Sequence, residues 1–145
     1  MTTPAEAFIA MLLDKVARND IGDPREWVAP GAKLYTPRHH KPVTDPMQIA
    51  IILRSIPQLL ENFRYDRSWA AGDEAIMEFK GSIASSAGTV EVHGLDIFTI
   101  GADGKVTELT VFIRPTKAHA ALAESEDALV IETMEKLQRG EAVFG

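Results

Sequence analysis

The chain contains no cysteine. That removes disulfides, thiolate metal ligands and thiol nucleophiles together, and it is compatible with a cytoplasmic protein. Basic residues are in deficit, 15 Lys and Arg against 21 Asp and Glu, and no Lys/Arg run stands out. A net charge of −6 without a basic face disfavours nucleic acid as a partner. Long apolar runs are missing as well. The longest near the N-terminus is Ala7 to Leu13, followed at once by Asp14 and Lys15. It is too short to span a bilayer and lacks the basic flank and cleavage site of a signal peptide, so no membrane partner is expected. No internal repeat or low-complexity tract is visible.

What is present suits one globular domain over residues 1–145, with 46% hydrophobic and 25% charged residues. A chain of this length buries ~70% of the surface it exposes when unfolded, enough for a core without covalent staples. The first half carries helix starts. Thr3-Pro4-Ala5-Glu6 reads as an N-cap, a proline at the first helical position and a capping-box Glu. Phe8, Ile9, Leu12, Leu13 and Val16 then recur at helical spacing. Asp23-Pro24-Arg25-Glu26 repeats the signal ahead of Trp27, and Asp45-Pro46-Met47-Gln48 repeats it again ahead of a stripe of Ile49, Ile52, Leu53, Ile56, Leu60 and Phe63. Pro57 should kink or shorten that helix. Between these starts, AKLYTP reads as a short strand ended by Pro37.

The second half reads as strands: FRYDRSWAA, EAIMEFKGSIA, TVEVHGLDIFTI and KVTELTVFIRP. Ala71-Gly72-Asp73, Ser85-Ser86-Ala87-Gly88 and Gly101-Ala102-Asp103-Gly104 are short links of turn residues, suited to antiparallel neighbours. From Thr116 to Arg139 the pattern is helical again, with Gly140 as C-cap. The acidic cluster Glu124, Glu126 and Asp127 reads as the start of that last helix, where negative charge suits the dipole. Helices followed by a meander give an α+β fold, with helices packed on one face of a curved antiparallel sheet.

Alternation sorts the strand residues. Val92, Gly94, Asp96 and Phe98 share one face, and His93, Leu95, Ile97 and Thr99 share the other. Asp96 is the anomaly, a carboxylate in an otherwise apolar stretch. The second face is apolar too, through Ile76, Leu95, Ile97 and Phe112. It calls for a cover, either a second copy of the chain in a homodimer or the C-terminal helix.

This order of elements, together with VHGLDIFTIGADGKVTELTVFIRP (residues 92 to 115), resembles the SnoaL-like proteins of the nuclear transport factor two-like superfamily. That superfamily also holds the ketosteroid isomerases and limonene epoxide hydrolase. YTP, KP and ENFRY upstream fit the same group, and the resemblance spans most of residues 4 to 123. It implies a cystatin-like α+β barrel, a cone whose concave sheet face and helices enclose a pocket, with an extra C-terminal helix. Carried over residue by residue, the ligand-binding walls would be Leu12, Trp27, Tyr35, Ile52, Ile56, Met77, Phe79, Val92, Gly94, Phe98, Leu109, Val111 and Ile113, with Phe8 and Gly81 beside them. The same residues could instead meet and fill a core.

The resemblance places Asp96 where ketosteroid isomerases carry the acid of their oxyanion hole, a carboxyl kept neutral by burial. It also places Thr36 at their general-base position and Leu12 at their oxyanion tyrosine. Neither residue can do that work, so steroid isomerisation of that kind is not expected. An epoxide hydrolase needs two carboxylates flanking an arginine. Only Asp96 faces the pocket, and Arg114 points away, free to pair with an acid such as Glu108. A SnoaL-like cyclase needs little more than one acid or base, with Tyr35, His39 or His40 as second groups. The bland alternative for Asp96 is a buried hydrogen bond to Tyr35, a backbone group or water. His39 and His40 are adjacent in an extended stretch and point opposite ways, which argues for a pocket-mouth or surface position and against metal. No metal and no cofactor is expected. Two readings follow: a protein binding a small apolar or amphipathic molecule, or a cofactor-independent cyclase, isomerase or hydrolase using Asp96 as acid or base.

Overall fold

The computed structural model describes residues 1–86 and 88–144. The turn expected at Ser85-Ser86-Ala87-Gly88 includes Ala87, which lies outside the described residues. Helix α1 spans Pro4–Ala17 and starts on the expected capping box: Thr3 Oγ1 accepts from the Glu6 amide at 3.1 Å, and the Thr3 amide donates to Glu6 Oε1 at 3.2 Å. Such a cap stabilises the helix by about 1 kcal/mol. Asp23 caps a single 3-10 turn, Pro24–Glu26, and Asp45 caps α2, Pro46–Leu59. Pro57 lies in the last turn of α2 and shortens it. The apolar stripe read as one helix therefore splits: Leu60 is the C-cap and Phe63 belongs to the next strand.

Five strands form one sheet: β1 (Val28–Tyr35), β2 (Glu61–Ala71), β3 (Glu74–Ser85), β4 (Gly88–Ile100) and β5 (Val106–Arg114). Their spatial order is β1-β5-β4-β3-β2. The sheet is mixed rather than wholly antiparallel, because β1 joins the edge parallel to β5. It reaches that edge without a hairpin, through the helices on either side of it in sequence. The pairs β2–β3, β3–β4 and β4–β5 are antiparallel. Register shifts interrupt β1–β5, β2–β3 and β4–β5, and such bulges bend and twist a sheet into a curved shell. Gly72 turns β2 into β3 with φ at 62°, a backbone conformation that side chains rarely adopt.

Helix α3 spans Thr116–Gln138, so Glu124, Glu126 and Asp127 lie in its middle and not at its start. Two apolar clusters fill the concave side. One joins Phe8 and Leu12 of α1 with Trp27, Leu34, Met77, Phe98 and Leu109. The other joins Leu60, Phe79, Ile83, Val90 and Val92 with Ala118 and Leu122 of α3. Helix α3 thus closes the concave side and leaves the outer sheet face uncovered, with Trp69 46% and Phe112 55% exposed. Among the described residues no helix is long and apolar enough to cross a membrane.

Candidate functional site

Strand alternation puts the even-numbered residues of β4 inside: Val92, Gly94, Asp96 and Phe98 are all buried, while His93, Leu95, Ile97 and Thr99 are half-buried. A cavity lies at the seam of the two apolar clusters. The space open to the centre of a water-sized sphere is about 70 Å³. Since only the sphere's centre is counted, that is room for several waters or a small apolar molecule. The walls are apolar: Leu12 and Val16 of α1, Trp27, Leu34 of β1, Ile52, Leu53 and Ile56 of α2, Phe63, Phe79, Phe98, Val111 and Ile113 of the sheet, and Leu122 of α3.

Of the residues expected at a ligand site, Leu12, Trp27, Ile52, Ile56, Phe79, Asp96, Phe98, Val111 and Ile113 border this cavity. The others do not. Met77 and Leu109 face the concave side but are packed under the helices as core, with Phe8 in the same cluster. Val92 is core at the α3 end. Gly94 leaves no room for a ligand, because the Phe79 ring fills the space over it: a Cβ built there would stand 2.0 Å from Phe79 Cζ. Gly81 lies against Leu60 in the same way, with a built Cβ 3.1 Å from the Leu60 Cβ. Tyr35 follows Leu34 in β1, and alternation sends it to the other side, away from the cavity and from Asp96.

The partner of Asp96 is Tyr65, whose hydroxyl donates to Asp96 Oδ2 at 2.9 Å. Register explains the meeting. Tyr65 pairs with Phe79 on β3, Phe79 pairs with Gly94, and Asp96 is two residues further along the same face of β4. The phenol reaches diagonally across β3. Phe63 and Phe79 pack around the Tyr65 ring, with centroids 5.3 and 6.5 Å away. Burial pushes the Asp96 carboxyl up to about 7, against the opposing pull of the Tyr65 hydrogen bond. Burial, and next the charge of Asp96, drives the Tyr65 phenol well above its ordinary value. The polar/apolar alternation of Phe63, Arg64, Tyr65 and Asp66 is the sequence signal that would have found Tyr65.

Further polar groups stand around the cavity. Thr36 is there, its Oγ1 accepting from the Arg38 amide at 3.3 Å. Arg38 reaches from the β1–α2 connection to α3, where its guanidinium grips both Asp127 carboxylate oxygens at 2.5 and 3.0 Å. Glu126 lies in the wall, and burial is the main cause raising its carboxyl above the usual range. His119 completes this side, its Nε2 buried and without a hydrogen-bond partner among the described residues. These α3 residues were hidden in sequence because 89 positions separate Arg38 from its partner. His39 and His40 are exposed on the same connection and do not border the cavity. Among the described residues no cluster of His, Asp or Glu has the arrangement of a metal site.

The outer face has its own polar network. Arg67 forks onto Glu78 at 2.7 and 2.7 Å, His93 Nε2 lies 2.8 Å from Glu78 Oε2, and Arg114 Nη1 lies 3.1 Å from His93 Nδ1. Arg114 does point away from the cavity, and its partner is His93 rather than Glu108. Since a guanidinium only donates, His93 Nδ1 accepts and its Nε2–H faces the carboxylate. Arg67 first, and His93 next, hold the Glu78 carboxyl down at about 2.

In sequence alone the chain matches no family model and no curated protein. Its shape matches solved structures. A steroid delta-isomerase from Pseudomonas aeruginosa aligns with a TM-score of 0.82 at 24% identity, covering 93% of this chain and 97% of that one. An uncharacterized bacterial protein with a cystatin-like fold from Silicibacter pomeroyi aligns at 0.77 with 24% identity over 90% of each chain. A Jannaschia protein assigned by name to the SnoaL-like polyketide cyclases aligns at 0.64 with 17% identity, covering 82% of this chain and 91% of that one. At these identities the likeness establishes architecture and leaves the chemistry to the site. The chain has a cystatin-like α+β fold.

Proposed function

We propose that the chain binds a small, largely apolar molecule in the cone and orients it with the Asp96 carboxyl. The observation that carries this reading is the Asp96–Tyr65 pair in an otherwise apolar sheet wall of the cavity. A ligand site of this kind combines apolar area for affinity with a few polar groups for orientation. Because Tyr65 donates to Oδ2, a protonated Asp96 keeps its own O–H for a ligand acceptor. Purified protein screened by thermal unfolding against a mixed apolar ligand set tests it. A ligand at a hundredfold its dissociation constant raises stability by about 2.7 kcal/mol. No shift with any member of the set contradicts a binding role.

A second reading has its own support. A carboxyl at about 7 is poised to give and take protons near neutrality, which suits a cofactor-independent cyclase, isomerase or hydrolase. Once any turnover is found, Asp96→Asn separates the two. Activity surviving that change rules out Asp96 as proton carrier.

The same proposal includes a homodimer through the outer sheet face. Trp69 and Phe112 are exposed there beside half-buried Ile76, Leu95 and Ile97. Large aromatics near the centre of an apolar patch are typical interface anchors. Sedimentation should give a dimer that Phe112→Glu converts to monomer. A wild-type chain that sediments as a monomer at tens of micromolar contradicts it.

A further inference from the structure

Helix α3 turns His119, Leu122, Ala123 and Glu126 toward the cavity. The spacing from His119 to Glu126 is two helical turns, a rise of ~10 Å. The stripe is therefore apolar in the middle and polar at both ends, and it lies opposite the sheet wall that carries Asp96. Each end shows an unused hydrogen-bonding capacity. His119 Nε2 is buried with no partner among the described residues. Glu126 has one, Ser55, whose Oγ lies 3.4 Å from Glu126 Oε2.

That one contact is long. A serine hydroxyl has a single hydrogen. Ser55 commits it to the Ile52 carbonyl at 2.6 Å, the shorter of its two contacts. At 3.4 Å the remaining contact holds Glu126 Oε2 only weakly. Burial is the main influence on the Glu126 carboxyl and raises it. Its Oε1 has no hydrogen-bond partner among the described residues and can accept one. The cation on this side is already spent, since Arg38 is forked onto Asp127. A ligand carboxylate would find no free positive charge here.

We propose that α3 forms a second polar wall of the site, and that Glu126 Oε1 and His119 Nε2 receive the two ends of a neutral, apolar molecule bearing a hydroxyl group at each end. A hydroxyl is the group that fits both positions: it donates to Glu126 Oε1, and it pairs with His119 Nε2 in either tautomer. The inference rests on the ligand-binding reading above and narrows it to a class of compound.

The probes are biphenyl, 4-phenylphenol, 4,4′-biphenol and biphenyl-4,4′-dicarboxylate, titrated calorimetrically against the whole chain at pH 6. Each hydroxyl should tighten binding roughly fivefold, the worth of one neutral hydrogen bond, and the dicarboxylate should not bind. Glu126→Leu and His119→Phe should each cut the ratio of 4,4′-biphenol to biphenyl affinity by about one fivefold step. Glu126→Gln should retain the step, because its amide oxygen still accepts from the ligand hydroxyl. Unfolding curves of the variants confirm that each is folded. Equal affinity for biphenyl and 4,4′-biphenol, or a loss in Glu126→Gln as large as in Glu126→Leu, overturns the assignment while the binding role stands. Failure of every probe to bind removes both.

Discussion

Asp96 and Glu78 are near neighbours on opposite faces of the same pair of strands. Asp96 pairs with Met77, and Glu78 pairs with Leu95, one register step away. Both are among the few buried polar residues of the chain. Yet their carboxyls are driven in opposite directions, to about 7 for Asp96 and to about 2 for Glu78. The difference lies in the partner. Glu78 meets a guanidinium fork and an imidazole N–H. Asp96 meets a phenol, which supplies one hydrogen bond and no charge. An ion pair lets the outer acid stay ionised as a fixture of the surface. Its absence leaves burial free to raise the inner acid to about 7.

The contrast is broken most forcefully at Asp96 itself. Its carboxyl moves from 3.8 to about 7 on folding, so between those values the native state holds the proton and the unfolded chain does not. Wild-type stability should therefore fall as pH rises from about 4 to about 7 and level off above, by ~4 kcal/mol at most. Urea unfolding from pH 4 to 9 should show this slope in the wild type and lose it in Asp96→Asn. A wild-type curve that rises over that window contradicts the account. Next in size is Gly94→Ala, two residues from Asp96 on the same face of β4. The added Cβ would stand 2.0 Å from Phe79 Cζ and 2.8 Å from the Phe112 carbonyl oxygen, the latter being backbone. A cost of about 1–3 kcal/mol is expected from such overpacking. A change within the error of the unfolding measurement would mean that Phe79 does not lie over Gly94.

Tyr65→Phe sharpens the comparison by removing the one group that favours ionised Asp96. It should cost ~1 kcal/mol and move the upper end of the stability slope above pH 7. A downward move would show that Tyr65 serves Asp96 in another way. The smallest effect belongs to the outer acid. Glu78 is held below its ordinary 4.5, so its contribution is present above that value and is lost as pH falls through about 2. Glu78→Gln should flatten the acid limb of the stability curve between those limits. The change is small because the Arg67 side chain of the pair is 66% exposed and screened by solvent.

These two acids also mark how far the sequence could be read. The helix starts were legible because Thr3, Asp23 and Asp45 cap by local chemistry within three residues. The inward face of β4 was legible because alternation is a property of one strand. What escaped was set by residues distant in sequence. Tyr65 rather than Tyr35 reaches Asp96, and only the register of three strands decides that. Met77, Val92 and Leu109 have the right parity for the cavity, but packing of α1 and α3 makes them core. Gly94 read as open space until the Phe79 ring of the neighbouring strand filled it. The α3 wall was lost to a misplaced helix start: Glu126 looked like a dipole-complementing end residue and is instead a mid-helix acid turned inward.

The central claim is that Asp96 is an acid held near neutrality inside the cone. Carbon-13 NMR titration of its side-chain carboxyl, assigned by its loss in Asp96→Asn, tests this most directly. The account predicts a midpoint near 7. A midpoint near 4 would mean that the carboxyl is solvated and ionised, and would contradict it.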